Sequence, residues 1–155
     1  MKGGENIEIK KALIRISESL DDLIEPQYII IHHTEEIGWN VYDTNDYHIS
    51  LGWEGIGYNY FIEEDGTVFE GRGMKIGAHT RGMNKISIGI CLSGNFDIGF
   101  PRQEQLISLK KLCTFFIKKY NISIKRVIGH REVENSKKSC PGTNFDMEQF
   151  RKSLI

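Results

Sequence analysis

The chain is predicted to be an α/β protein, of the mixed α+β kind, with a central mixed β-sheet flanked by helices. Three observations predict this. The runs Tyr28-Ile-Ile-Ile-His32 and Ser87-Ile-Gly-Ile-Cys-Leu-Ser93 are apolar on both faces, as central strands are. An Asp65-Gly66 pair separates two further extended runs, a hairpin signal. Between Arg102 and Tyr120, Leu106, Leu109, Leu112, Cys113 and Phe116 recur at helical spacing.

Taken in order, residues 6–24 mix apolar and charged positions and allow either a short helix or an extended arm. Tyr28 to His32 follows as a buried strand, then a polar stretch with a short helix around Thr44 to Leu51. Gly57 to Ile62 forms the next strand, and Glu63-Glu-Asp-Gly66 turns it into Thr67-Val-Phe-Glu70, because Asp-Gly tolerates positive φ. Gly71 to Ile86 is rich in Gly, Arg, Lys, Asn and His and reads as a long surface loop able to carry binding groups. After the Ser87–Ser93 strand and the Arg102–Tyr120 helix, Lys125 to Gly129 is a short final strand. Phe145 to Leu154 closes the chain as a helix, capped by Asn144 or Thr143.

A length of 155 residues fits a single domain with a core that needs no disulfide staples. Hydrophobic residues make up 39% and charged residues 26%, the balance of a soluble globular chain. The formal net charge is -1 and the basic residues are dispersed, which gives no support to nucleic-acid binding. Three cysteines are an odd, sparse set that suggests a reducing compartment, with Cys91 and Cys113 expected as core fillers. No stretch reaches the length of a membrane span, so no membrane insertion is expected. Residues 1–11 lack the apolar segment of a signal peptide.

The chemistry is concentrated in three residues. His32 ends an apolar strand, His130 ends another, and Cys140 follows His130 by ten residues, within reach of a returning loop. Two imidazoles and a thiolate suit Zn²⁺, and three protein ligands leave one position open, as in catalytic rather than structural sites. With that donor set the ion keeps net positive charge and can polarise a carbonyl.

The surrounding motifs are Ile30-Ile-His-His-Thr34, Gly57-Tyr-Asn-Tyr-Phe-Ile62, Asp65-Gly-Thr-Val-Phe-Glu-Gly-Arg72 and Gly77-Ala-His-Thr80. Ser87-Ile-Gly-Ile90, Gly94-Asn-Phe96, Gly129-His-Arg-Glu132 and Cys140-Pro-Gly142 follow. In this order, from about Tyr28 to Phe150, the chain resembles the zinc-dependent N-acetylmuramoyl-L-alanine amidases, which include the T7-type phage lysozymes and the peptidoglycan recognition proteins. The resemblance implies a mixed sheet with flanking helices and a groove holding one zinc. Its ligands would be His32, His130 and Cys140, with His33 on the opposite strand face. Tyr58 matches the family's active-site tyrosine, whose phenol orients water or hydrogen-bonds an oxyanion. Lys138 falls where T7-type enzymes place a catalytic lysine. The His-to-Cys loop is longer here and Lys137 adjoins Lys138, so the choice between the two stays open.

The resemblance further implies substrate contacts from His79, Asn84 and Arg72. Asn84 is expected to brace its loop, and Arg72 to face a structural carboxylate or the acid groups of a stem peptide. Trp39 and Trp53 can stack on sugar or pack in the core. The implied activity is hydrolysis of the bond between N-acetylmuramic acid and L-alanine in peptidoglycan, by a monomeric single catalytic domain spanning 1–155. Residues 1–24 would form its N-terminal arm, with no separate wall-binding domain. The expected setting is a phage or prophage endolysin, or an autolysin, made in the cytoplasm without a signal peptide and acting on the cell wall after release. A non-catalytic peptidoglycan-binding module and a cytoplasmic amidase of wall recycling are the alternatives.

Overall fold

The computed structural model describes residues 6–155. A six-stranded sheet is built from β1 (Ile9–Lys11), β2 (Tyr28–His33), β3 (Tyr60–Ile62), β4 (Val68–Glu70), β5 (Ser87–Leu92) and β6 (Val127–Gly129). The helices are α1 (Val41–Ser50), α2 (Gln103–Tyr120) and α3 (Met147–Ser153). The strand order is β1-β4-β3-β5-β2-β6, with only the β3–β4 hairpin antiparallel. The mixed α/β class is therefore as expected.

The core sits on both faces of the sheet. Ile29, Ile31, Ile88, Ile90 and Leu92 pack against Leu109, Leu112, Cys113 and Phe116 of α2 and Phe150 of α3. On the other face Phe61 and Cys91 meet Val41 and Ile56. Truncating one of the fully buried leucines of α2 to alanine would cost about 2–5 kcal/mol. Strand alternation sends Ile29 and Ile31 to the α2 side and, one residue on, His32 to the side of Cys91, its partner in the β2–β5 register. Cys91 and Cys113 are buried core residues, and all three cysteines are free.

Several element boundaries differ from expectation for local reasons. Residues 6–24 take the extended alternative, and β1 adds an edge strand beside β4 that their polar pattern did not announce. Helix α1 starts at Val41 rather than Thr44, because Asn40 and Asp43 form a reciprocal capping box. Gly57–Asn59 is not strand: the Gly57 amide donates to His48 Nδ1 instead of to a neighbouring strand. Lys125 and Arg126 are wound into a 3₁₀ turn, leaving strand only from Val127.

Helix α3 starts at Met147 and is capped by Asp146, whose side chain accepts from the Gln149 amide at 2.9 Å. Thr143 and Asn144 lie upstream of that start and are held by other bonds. The Thr143 amide donates to Asp97, and Asn144 Nδ2 donates to the Gly99 carbonyl. The segment 71–86 is without helix or strand, but it is more than a surface loop, since Arg72 and Thr80 are buried. Among the described residues no helix is long and apolar enough to cross a membrane.

Candidate metal centre and active site

Strand register brings the first two donors together. Ile31 lies opposite Gly129 in the parallel β2–β6 pair, so the next residues, His32 and His130, emerge side by side. Their ring centroids are 4.8 Å apart. This is the carboxyl edge of the parallel strands, where open α/β sheets place their sites.

The third donor arrives on a loop that is tied down. The backbone amide of Arg131 donates to the Cys140 carbonyl at 2.7 Å. The Arg131 guanidinium donates to the carbonyls of Ser139, Gly142 and Phe145. Asp97 accepts from Ser139 Oγ and from the Thr143 amide, both at 2.8 Å, and these bonds hold its carboxyl below the usual range. Gly142 has φ +109°, and a Cβ there would stand 2.4 Å from the Phe96 backbone, so the turn after Cys140 requires glycine.

Glu132 completes the segment. It accepts from the Gly129 amide and makes a two-pronged ion pair with Arg151, fixing the end of β6 to α3. In Gly129-His-Arg-Glu132, then, His130 faces the site while its two neighbours hold the scaffold.

Ligand atoms of His32, His130 and Cys140 all lie within 4.8 Å of one another. His32 Nδ1 is 3.6 Å from Cys140 Sγ. Burial lowers the affinity of His32 for a proton, and the neighbouring imidazoles lower it further; His130 is lowered by burial and then by Lys138. Both shifts favour the neutral imidazole, the form a metal ligand takes. Burial pushes the Cys140 thiol up to about 12, while the His33 amide and Lys138 pull the other way. Two neutral imidazoles and a thiol that a cation would convert to thiolate fit a zinc ion, with no fourth His, Cys, Asp or Glu in the group among the described residues.

His33 is not part of the group. Its Nδ1 accepts from the Phe96 amide at 3.1 Å, and its ring packs on Phe96.

A cleft of about 300 Å³ opens over these donors, bordered by Tyr58, His48, Trp53, His79 and Lys138. Tyr58 is half-buried with its ring 5.1 Å from that of His32, and burial raises its phenol well above the ordinary value. Both Lys137 and Lys138 are exposed, and only Lys138 borders the cleft. An adjoining hollow is walled by Trp39, Tyr47 and Glu35, so both tryptophans border open space beside the donors. A more apolar groove, around Phe100, Leu106 and Phe150, shares no residue with this cleft.

The expected substrate contacts divide. Arg72 lies outside the cleft lining: its guanidinium is spent on the Ile56 carbonyl at 2.8 Å and the Ile76 carbonyl at 3.1 Å, with the charge of Glu54 acting on it from farther off. Asn84 is likewise outside it and braces the loop, its Oδ1 accepting from the amides of His79 and Thr80. His79 is half-buried at the cleft wall, with burial pushing it down to about 3, and its Nδ1 faces His32.

Sequence reasoning passed over His48. It is buried on α1, accepts from the Gly57 amide, and packs at a tilt against Trp53 with ring centroids 4.4 Å apart. A histidine four residues after Thr44 in a predicted helix near the Gly57 motif was the available signal.

Residues 22–143 match the family described as N-acetylmuramoyl-L-alanine amidase. Peptidoglycan-recognition protein SC2 of Drosophila melanogaster is 36% identical over 129 residues, covering 76% of this chain and 69% of that protein. The endolysin of Escherichia phage T7 is 37% identical over 118 residues, covering 71% of this chain and 73% of its own. Among solved structures, the endolysin amidase LysCS from Clostridium intestinale superposes with a TM-score of 0.89 at 30% identity, covering 97% and 98% of the two chains. A Drosophila PGRP-LB variant in complex with tracheal cytotoxin superposes at 0.75 with 31% identity, covering 86% of each chain.

Proposed function

As the chain belongs to the N-acetylmuramoyl-L-alanine amidase family, we propose that it hydrolyses the amide between N-acetylmuramic acid and L-alanine in peptidoglycan, using one zinc ion held by His32, His130 and Cys140. The convergence of those three side chains under an open cleft is the observation that carries this proposal. When bound, zinc would polarise the scissile carbonyl and acidify water.

The chain's own residues would do the rest. Lys138 offers an ammonium at the cleft wall to the carbonyl oxygen as negative charge develops there. Tyr58 keeps its proton because its phenol is buried, so it can donate a hydrogen bond to the same oxygen or orient the attacking water. Trp53, His48 and Trp39 supply flat faces along the cleft for the sugar and peptide. One sheet with one donor group among the described residues supports a single catalytic domain, with residues 6–24 as an arm whose strand β1 pairs with β4.

Similarity to phage and clostridial endolysins supports a wall-degrading role. Relatives named recognition proteins support the second reading, a peptidoglycan-binding module without hydrolysis. Incubation with a purified muropeptide separates them. Hydrolysis would yield a free stem peptide and a lactyl-terminated sugar by mass spectrometry, whereas a binding module would return the muropeptide intact.

A further inference from the structure

We propose that His79 is a positioning residue, which fixes the tautomer and aim of His32 so that His32 Nδ1 is presented to the metal. This rests on the zinc-binding role proposed above for His32, His130 and Cys140. The two ring nitrogens of His32 face different surroundings. Nδ1 is 3.6 Å from Cys140 Sγ, inside the donor group. Nε2 points away, 3.0 Å from His79 Nδ1 and 3.2 Å from Thr80 Oγ1.

If Nδ1 is to offer its lone pair, the proton of His32 must sit on Nε2, which then has to donate. It can donate to His79 Nδ1 directly, or to the Thr80 hydroxyl, which in turn lies 2.9 Å from His79 Nδ1. In this arrangement His79 Nδ1 is the final acceptor and its own proton is on Nε2. That nitrogen is 3.5 Å from Ser87 Oγ. The Ser87 hydroxyl gives its hydrogen to the Met83 carbonyl at 2.6 Å, so its oxygen is left as the acceptor. Read from a His32 Nδ1 that offers its lone pair, the hydrogen bonds run without conflict from His32 through His79 to Ser87.

The seat for His79 is built into the chain. A Cβ at Gly89 would stand 2.4 Å from the His79 ring, and one at Gly77 would stand 2.7 Å from it, so both must be glycine for the imidazole to lie there. Asn84 Oδ1 holds the backbone amides of His79 and Thr80 at 2.9 Å. With both nitrogens of His79 engaged within the protein, its use lies toward His32, which sets aside the direct substrate contact implied by resemblance. Residues behind a metal ligand typically alter metal affinity about 10–100-fold when removed.

The test is zinc affinity by competition with a chromophoric chelator, for the wild type, His79→Ala and His79→Asn. The asparagine carbonyl restores an acceptor near the Nδ1 position. The expected result is about 10–100-fold weaker binding in His79→Ala and recovery of most of it in His79→Asn. Nitrogen-15 shifts of the wild-type zinc protein should also show His79 protonated at Nε2. Equal affinity in wild type and His79→Ala, or equal loss in both variants, would overturn the positioning role while leaving zinc binding in place. A wild type that binds no zinc would instead remove the metal centre on which the role rests.

Discussion

His130 follows Gly129, and Gly129 stands opposite Ile31 across the parallel β2–β6 pair, so His130 meets His32 through strand register rather than through a local loop. Ninety-eight residues of sequence separation thereby become a ring-to-ring distance of 4.8 Å. The remaining donor, Cys140, lies outside helix and strand, on a loop that Arg131 and Asp97 tie down.

Cys140→Ser should lose zinc while keeping the fold. A neutral hydroxyl is a far poorer ligand than thiolate, so the fall in affinity should exceed the roughly 100-fold limit typical of residues behind a ligand. Metal analysis after dialysis, with circular dichroism as the control for folding, checks this. Full zinc occupancy in the variant would remove Cys140 from the ligand set.

Lys138→Ala should lower kcat by about 10²–10³-fold, the usual cost of losing one oxyanion-stabilising donor, with zinc content unchanged. Lys137→Ala should stay near wild type, because Lys137 does not border the cleft. Steady-state kinetics on a soluble muropeptide compares them; the opposite ranking would assign the role to Lys137.

Arg131→Met should loosen the Cys140 loop without touching a donor. Hydrogen bonds from a charged group are worth about 1.5–3 kcal/mol each, so a destabilisation of several kcal/mol is the upper range expected. Arg131→Lys should recover little, since one ammonium cannot span carbonyls that a planar guanidinium reaches together. Urea unfolding alongside zinc affinity would show both losses together.

Acid should act on the same loop. Asp97 accepts from the Thr143 amide and the Ser139 hydroxyl, and these hold its carboxyl below the usual value. A carboxyl with a depressed folded pKa contributes stability above its unfolded value near 4, and that contribution disappears as pH falls through the folded value. The Thr143 amide resonance should therefore titrate with a midpoint below the ordinary aspartate range, and Asp97→Ala should abolish that titration.

Much of this was legible in the chain because it rests on periodicity and donor chemistry. Two-sided apolar runs mark β2 and β5, and helical spacing marks α2. His32, His130 and Cys140 stood out as a zinc-suited set, and they do converge. Tertiary hydrogen bonding decided what was not legible. Arg72 reads as a partner for carboxylates, yet two backbone carbonyls take its guanidinium. Thr143 reads as a helix cap, yet the helix starts only at Met147 and Asp146 caps it. The three-residue strand β1 carries no pattern long enough to register, and its partner β4 defines it. His79 sits in a glycine-rich segment that suggests an exposed loop, while the glycines clear space for its ring.

The most direct measurement is digestion of purified peptidoglycan by the zinc-loaded protein, by the chelated protein, and by the chelated protein after zinc is restored. Mass spectrometry of the soluble fragments reads the outcome. The expected result is free stem peptides with an L-alanine amino terminus, absent under chelation and regained with zinc. Peptidoglycan left uncleaved by the zinc-loaded protein, or the same peptides released with and without chelator, would contradict a zinc amidase.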